Sequence, residues 1–367
     1  MHATPEFSLL VSTFERPEHL ELTLLSIASQ RGADGLFEVV VTDDGSRDRT
    51  PRVVEDFARS VDFPVRWLTH EHQGFQLARC RNEGVRAARA PYLLFLDGDL
   101  VLPPDHLRRH LQVRRPGVVF GGDCCRLDEA TSRRVSHELV RAGRIATLAP
   151  RDELRRLAGV HRKARLYNLL RHPTRPKLFG GTIAIWKQDY ERVNGYDERF
   201  EGWGCEDDDL RLRLKKAGLR IESILGTTFT YHVWHPPHAT TPRRWREGRN
   251  VEYLRRAARL TRCRRGLVAL EDGDLRIRIH GEGLRLPPPF QPCAADQVPE
   301  VEIIACPSRR DFDPRTDVKI LVVPEGTRPS RRQLRRAALL VGDGRWARPH
   351  LRHFPPGGLE AALRSLL

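Results

Sequence analysis

Asp97 and Asp99 stand one residue apart around Gly98, directly after the apolar run Tyr92-Leu93-Leu94-Phe95-Leu96. A buried strand that ends in two carboxylates delivers hard oxygen ligands to a sheet edge. Such a pair suits Mg²⁺ or Mn²⁺ bridging phosphates, with the glycine allowing close approach. Asp-Gly is equally at home in a solvated turn, which is the competing reading. A second acidic group, Glu206-Asp207-Asp208-Asp209, follows Trp203-Gly204-Cys205. Four successive acids repel one another unless a cation or a reaction uses them, although a helix N-terminus would stabilise some through its dipole. A helix running from here to 216 puts Leu210 and Leu214 on its buried face and Glu206 and Asp207 at its entrance, facing a crevice. His232, His235 and His238 recur at three-residue spacing. Pro236-Pro237 between them forbids a continuous helix and so argues against a helical zinc face.

Groups so far apart in the chain need a scaffold that gathers them. Apolar runs at 7–12, 37–42, 65–68 and 92–96 alternate with helical patterns at 17–30, 50–60, 75–88 and 104–114. Near-continuous apolar strands imply a parallel sheet covered on both faces, so the fold class expected is a doubly wound, mostly parallel α/β sheet flanked by helices. Ligands bind such sheets outside the carboxyl ends of the strands. Three polar clusters fall at that edge: Ser12 to Arg16, Thr42 to Ser46, and Asp97 to Asp99. Neither a P-loop nor a G-x-G-x-x-G follows the first strand, which excludes those two nucleotide sites. Asp43 and Asp44 could accept hydrogen bonds from a base or ribose, or cap the helix that opens at Thr50-Pro51.

The chain has 367 residues, enough for one large unit and a smaller one, with 40% apolar and 30% charged residues. No apolar run approaches the length of a membrane span, and residues 1–7 show no secretory pattern, so a cytoplasmic protein is expected. Seven cysteines without a C-x-x-C pair read as reduced thiols. The net charge of +15 is unevenly spread: residues 241–367 hold 26 Lys+Arg against 15 Asp+Glu, leaving 37 against 33 for residues 1–240. That near-balance argues against a nucleic-acid partner for the first two thirds. Segment 241–265 has ten arginines and two glutamates, with Trp245, Leu254, Ala258 and Thr261 at roughly helical intervals. It reads either as a solvated helix or as a contact with anionic lipid or a polyanionic acceptor, placing the protein peripherally at the inner face of a membrane. Strand-like runs at 275–279, 302–305 and 318–323 suggest a small β-containing appendage. The organisation expected is a catalytic domain over 1–240, a basic helical segment over 241–265 and an appendage over 266–367.

Ser12-Thr13-Phe14-Glu15-Arg16-Pro17, Asp43-Asp44-Gly45-Ser46-Arg47-Asp48, Ala78-Arg79-Cys80-Arg81-Asn82-Glu83-Gly84 and Leu96-Asp97-Gly98-Asp99, in this order and spacing, resemble the family 2 glycosyltransferases of GT-A fold. The resemblance implies that Thr13, Asp43 and Arg81 line a donor-nucleotide pocket, with Glu15, Arg16 and Asp44 beside them. It implies also that Asp97 and Asp99 hold a metal and the diphosphate. Phe179-Gly180-Gly181-Thr182 and the run from Asn194 to Asp209 resemble β-1,4-galactosyltransferases and bacterial chondroitin-type polymerases, whose motif is Trp-Gly-Gly-Glu-Asp; here Cys205 replaces the last glycine. This second resemblance makes Asp207 the catalytic base and puts Glu206 near acceptor hydroxyls. Gly180, Gly181 and Trp203 fall on the acceptor or sugar side, and His232 is the remaining metal ligand, with His235 in reserve. Together, over about 5–250, the resemblances imply a Mn²⁺- or Mg²⁺-dependent inverting transfer. The sugar would pass from a nucleotide sugar, UDP-linked, to a hydroxyl of a saccharide or glycolipid. A sugar-phosphate nucleotidyltransferase would carry a glycine-rich basic loop after the first strand, which residues 12–17 lack. A non-catalytic carbohydrate- or nucleic-acid-binding module would not need the full acidic set at 97, 99, 206 and 207.

Overall fold

Residues whose side chains are apolar on both sides of a strand must be covered on both faces, and the first strands obey this. In the computed structural model, Phe7–Thr13 (β1) and Phe37–Asp43 (β2) are buried along their whole length, and Val65–Thr69 (β3) and Tyr92–Asp97 (β4) complete a parallel set. The crossovers are α1 (Pro17–Ala28), α2 (Thr50–Ser60) and α3 (Leu77–Ala87). Proline at the first turn of α1 and of α2 gives up an N–H that no helical carbonyl would have met. The structure describes residues 4–366 other than 180, 238–240, 242–246, 249, 258, 259 and 282. Gly180, His238, Trp245 and Ala258, each singled out from sequence, lie outside the described residues.

The second half of this unit completes the sheet and turns its direction. After Leu100–Val101 (β5) come α4 (His106–Val113), Val118–Gly121 (β6), Cys125–Arg126 (β7), the short α5 (Glu129–Ser132) and α6 (His137–Arg141), and the long α7 (Arg151–Leu169). Thr182–Trp186 (β8), α8 (Lys187–Arg192), α9 (Glu206–Lys216), Arg220–Ser223 (β9) and Tyr231–His232 (β10) follow. The large sheet has seven strands in the order β3-β2-β1-β4-β8-β6-β9, with β8 antiparallel to both β4 and β6. The end of β4 therefore lies at the centre of the sheet edge. A small sheet, β5-β10-β7, stands against it and pairs His232 with Leu100, the residue after Asp99.

The chain divides into two compact units, Met1–Leu254 and Arg255–Leu367, with α10 (Asn250–Ala257) at the division. The second unit is more than the small β appendage expected. Ile277–His280 (β11), Val301–Ala305 (β12), Val318–Val323 (β13), Leu339–Gly342 (β14) and Arg352–Phe354 (β15) form a wholly parallel sheet in sequence order. Ile303, Ile320 and Val341 pack on one face with α12 (Leu359–Arg364), while Ile304, Leu321 and Leu340 pack on the other with Leu334 of α11 (Arg331–Arg336). Burial on both faces, with α11 in the connection from β13 to β14 and α12 after the last strand, makes it an α/β unit in its own right. Among the described residues, no helix is long and apolar enough to cross a membrane.

Candidate active site

β4 delivers Asp97 to the sheet edge, and Gly98 turns the chain so that Asp99 enters the small sheet. There Asp99 meets both histidines that the sequence had ranked as first choice and reserve. His235 Nε2 lies 3.1 Å from Asp99 Oδ2, and His232 Nε2 lies 3.9 Å from Oδ1. Ligand atoms of the three residues all fall within 4.8 Å of one another. His235 Nδ1 is 2.8 Å from the carbonyl of Pro236, which can only accept, so Nδ1 carries the hydrogen. Nε2 then faces a carboxylate oxygen either as imidazolium or with a cation shared between the two. Asp99 Oδ1 is buried without a hydrogen-bond partner, and burial lowers the pKa of His232 toward the neutral, ligating form. These observations fit a divalent cation. One carboxylate and two imidazoles suit Mn²⁺ better than Mg²⁺, which prefers oxygen alone. Burial alone would raise the Asp99 pKa, but the hydrogen bond from His235 and the charges of His232, His235 and Arg16 outweigh it and hold the carboxyl below its ordinary value.

Asp97 is engaged differently. Arg81, only 2% exposed, donates to Asp97 Oδ1 at 3.0 Å through one nitrogen, and through the other to Asp207 Oδ1 at 2.9 Å and to the Tyr196 hydroxyl at 3.0 Å. Tyr196 in turn donates to Asp207 Oδ1 at 2.9 Å. The residue expected to line a nucleotide pocket is thus also a buried brace between the tip of β4 and the N-terminus of α9. Replacing it strands two carboxylates that are 35% and 26% exposed, so Arg81→Met is expected to cost about 1–3 kcal/mol of stability, the usual penalty for hydrogen-bond partners left unmet. Urea denaturation checks this, and an unchanged midpoint would deny the brace.

Glu206 opens α9, and Cys205 before it sits in the left-handed region at φ 78°, where the glycine of the resembling motif would be free of strain. Burial first, and then the charge on neighbouring Asp207, push the Glu206 carboxyl up to about 8. The folded chain therefore holds this proton more tightly than the unfolded chain. The stabilisation is complete below the ordinary value of 4.5 and is lost as pH rises toward about 8. Glu206→Gln is expected to melt higher than the wild type at pH 8 and to lose most of that advantage at pH 5. Thermal melts at both values check it, and an advantage independent of pH would remove the explanation.

Asp97, Asp99, His232, His235, Arg81, Glu206 and Asp207 line one cavity of about 610 Å³, together with Thr13, Arg16, Asp44, Trp203, Lys177 and Phe14. Gly181 stands beside it, and a Cβ there would lie 2.7 Å from Asp97 Oδ2, so only glycine lets β8 start this close. Two expected residues are placed otherwise. Asp43 is buried and accepts from the Ser46 hydroxyl and backbone N–H and from Thr69, so it holds the turn after β2 and is absent from the cavity lining. Glu15 is exposed, its backbone N–H donating to Ser46 Oγ, and it too is absent from the lining. Asp44 does face the cavity, fixed by His70 Nε2 at 2.9 Å and by the Gln76 N–H at 3.0 Å. Tyr196, His70 and Asn250, whose amide donates to the carbonyls of Glu201 and Gly204, were assigned no role from sequence. Only the position of Tyr196 inside the run from Asn194 to Asp209 hinted at one.

Residues 8–155 match the family described as glycosyl transferase family 2, and residues 161–236 match the one described as the N-terminal domain of galactosyltransferase. Validoxylamine A glucosyltransferase of Streptomyces hygroscopicus subsp. limoneus is 32% identical over 228 residues, 59% of this chain and 49% of that protein. Chondroitin synthase of Escherichia coli is 25% identical over 258 residues, 66% of this chain and 37% of that protein. A mannosyltransferase of Pyrobaculum calidifontis, solved with GDP-Man and Mn²⁺, aligns with a TM-score of 0.45 and 18% identity over 66% of this chain and 59% of its own. The chain spans about half the length of the first two curated relatives it matches. Both matches fall in succession on the unit that carries the cavity, whose first part is similar to glycosyl transferase family 2 and whose second part is similar to the galactosyltransferase domain.

Proposed function

We propose that the unit Met1–Leu254 moves a sugar from a nucleotide sugar, UDP-linked, to a hydroxyl of a saccharide or glycolipid acceptor, with inversion at the anomeric carbon and in the presence of Mn²⁺. The observation that carries this reading is the single cavity lined both by Asp99, His232 and His235 and by Glu206 and Asp207. Relatives named as a glucosyltransferase and a chondroitin synthase support the same reaction class. Asp99, His232 and His235 would hold the cation, which supplies charge compensation for the departing diphosphate. Asp207, oriented by Arg81 and Tyr196, takes the proton of the acceptor hydroxyl. The freed oxygen forms the new bond to the anomeric carbon while the bond to the diphosphate breaks, its electron pair leaving with the phosphate oxygen. Glu206, protonated at neutral pH by its burial, serves as a hydrogen-bond donor to acceptor oxygens and leaves the role of base to its neighbour. Trp203, which lines the cavity, offers an apolar face to a sugar ring.

The test is a thermal-shift and hydrolysis screen of UDP-, GDP- and dTDP-sugars in Mn²⁺, with EDTA as the control. A UDP-sugar is expected to stabilise the chain only with the metal. Failure of every nucleotide sugar to bind would remove the reading.

A further inference from the structure

α7 carries more leucine than its packing uses. Leu157 and Ala164 are buried on one face, where His161 Nδ1 lies 3.1 Å from Ser223 Oγ and the Asn168 amide donates to the Ile221 carbonyl at 2.9 Å. These four recur at helical spacing and tie one side of the helix to β9. Leu166 and Leu169 project from the opposite side, and Leu170 follows at the C-terminal cap. Their exposures are 51%, 79% and 66%. Three adjoining leucines in water are not a normal surface feature, and the fold has no means of turning them inward while the other face is engaged.

Their surroundings indicate what covers them. Arg162, Lys163, Arg165 and Arg171 flank the leucines, all exposed, and none has an ion-pair partner among the described residues. Residues 154–187 contain nine Lys and Arg and no Asp or Glu. A ring of cations around an apolar centre matches an anionic leaflet, in which leucines enter the acyl boundary and arginines remain at the headgroups. Nucleic acid would meet the charges but gain nothing from the leucines, and a second copy of this surface would repel its partner. We infer that the C-terminal end of α7 is a membrane-contact surface for anionic lipid. This surface is separate from segment 241–265, where the sequence suggested such a contact and part of which lies outside the described residues, and the inference does not depend on the proposed reaction.

The full chain is to be sedimented with phosphatidylcholine vesicles, with and without phosphatidylglycerol, at low and physiological salt. It is expected to pellet with the anionic vesicles, less so as salt shortens the screening length to roughly 8 Å, and not with the neutral ones. The double variant Leu169→Ser/Leu170→Ser, at positions exposed enough to spare the fold, is expected to lose about tenfold or more in vesicle binding with an unchanged circular-dichroism spectrum. Equal binding by the variant would move the contact elsewhere and overturn the inference, as would binding to neither vesicle. A concentration-dependent dimer that the variant abolishes, without vesicle binding, would make the leucines a protein interface and overturn it as well.

Discussion

Asp207→Asn is expected to lower turnover by about 10²–10⁴-fold while leaving sugar-nucleotide affinity nearly unchanged, since a general base acts in the transition state and not on the bound donor. The geometry makes the substitution clean. Asp207 Oδ1 accepts from Arg81 and from Tyr196, and the amide oxygen of asparagine can keep both bonds, so the brace survives and only proton uptake is lost. Glu206→Gln is the control. Because Glu206 already holds a proton at neutral pH, glutamine mimics its dominant form, and the expected loss is much smaller. Steady-state kinetics with donor affinity measured separately decide it. If Glu206→Gln alone removed turnover, the base would be Glu206. If both variants worked at the wild-type rate, the acidic run would be no more than the first turn of α9.

Asp99→Ala is expected to abolish Mn²⁺-dependent nucleotide binding without unfolding the chain. Asp99 is the member of the cluster that touches both histidines and Arg16, and its Oδ1 is buried without a partner. Its carboxylate is the one negative charge among three donors, so Mn²⁺ affinity is expected to fall by at least about 100-fold, beyond the ~10–100-fold that follows loss of an outer-sphere partner. His232→Ala and His235→Ala each remove one neutral donor and are expected to cost less. Isothermal calorimetry with Mn²⁺, and then with UDP in Mn²⁺, reads both quantities. Wild-type UDP affinity in the Asp99 variant would disprove the cation site.

The candidate site was legible in the sequence because the residues that compose it are grouped in short local stretches. Asp97-Gly98-Asp99 follows an apolar run that can only be a buried strand, and Glu206-Asp207 precedes leucines spaced for one helix face; the structure has β4 and α9 there. The first four strands and their helices were legible for the same reason, since hydrophobic periodicity is a property of short windows. In the second unit that signal weakens. Leu339–Gly342 and Arg352–Phe354 are four and three residues long, too short to register a period, and a parallel sheet looked like a β appendage.

What only the tertiary structure decided depends on pairings between distant segments. His235 and Asp99 are 136 residues apart, and nothing in either neighbourhood specifies that β10 should pair with β5. That pairing brings both histidines to one carboxylate, where sequence reasoning chose between them. Asp43 and Asp44 are equivalent as a dipeptide, but at the tip of a strand successive side chains leave in opposite directions. One was therefore consumed by the turn at Ser46 and the other faces the cavity. Arg81 reads in the sequence as a helix residue lining the nucleotide pocket and is in the fold a buried brace, because its guanidinium reaches carboxylates on β4 and α9 at once. Residue types and local spacing determined which reactions this protein's side chains can perform; long-range strand pairing and side-chain direction decided which of them meet, since neither is encoded in any single stretch of the chain.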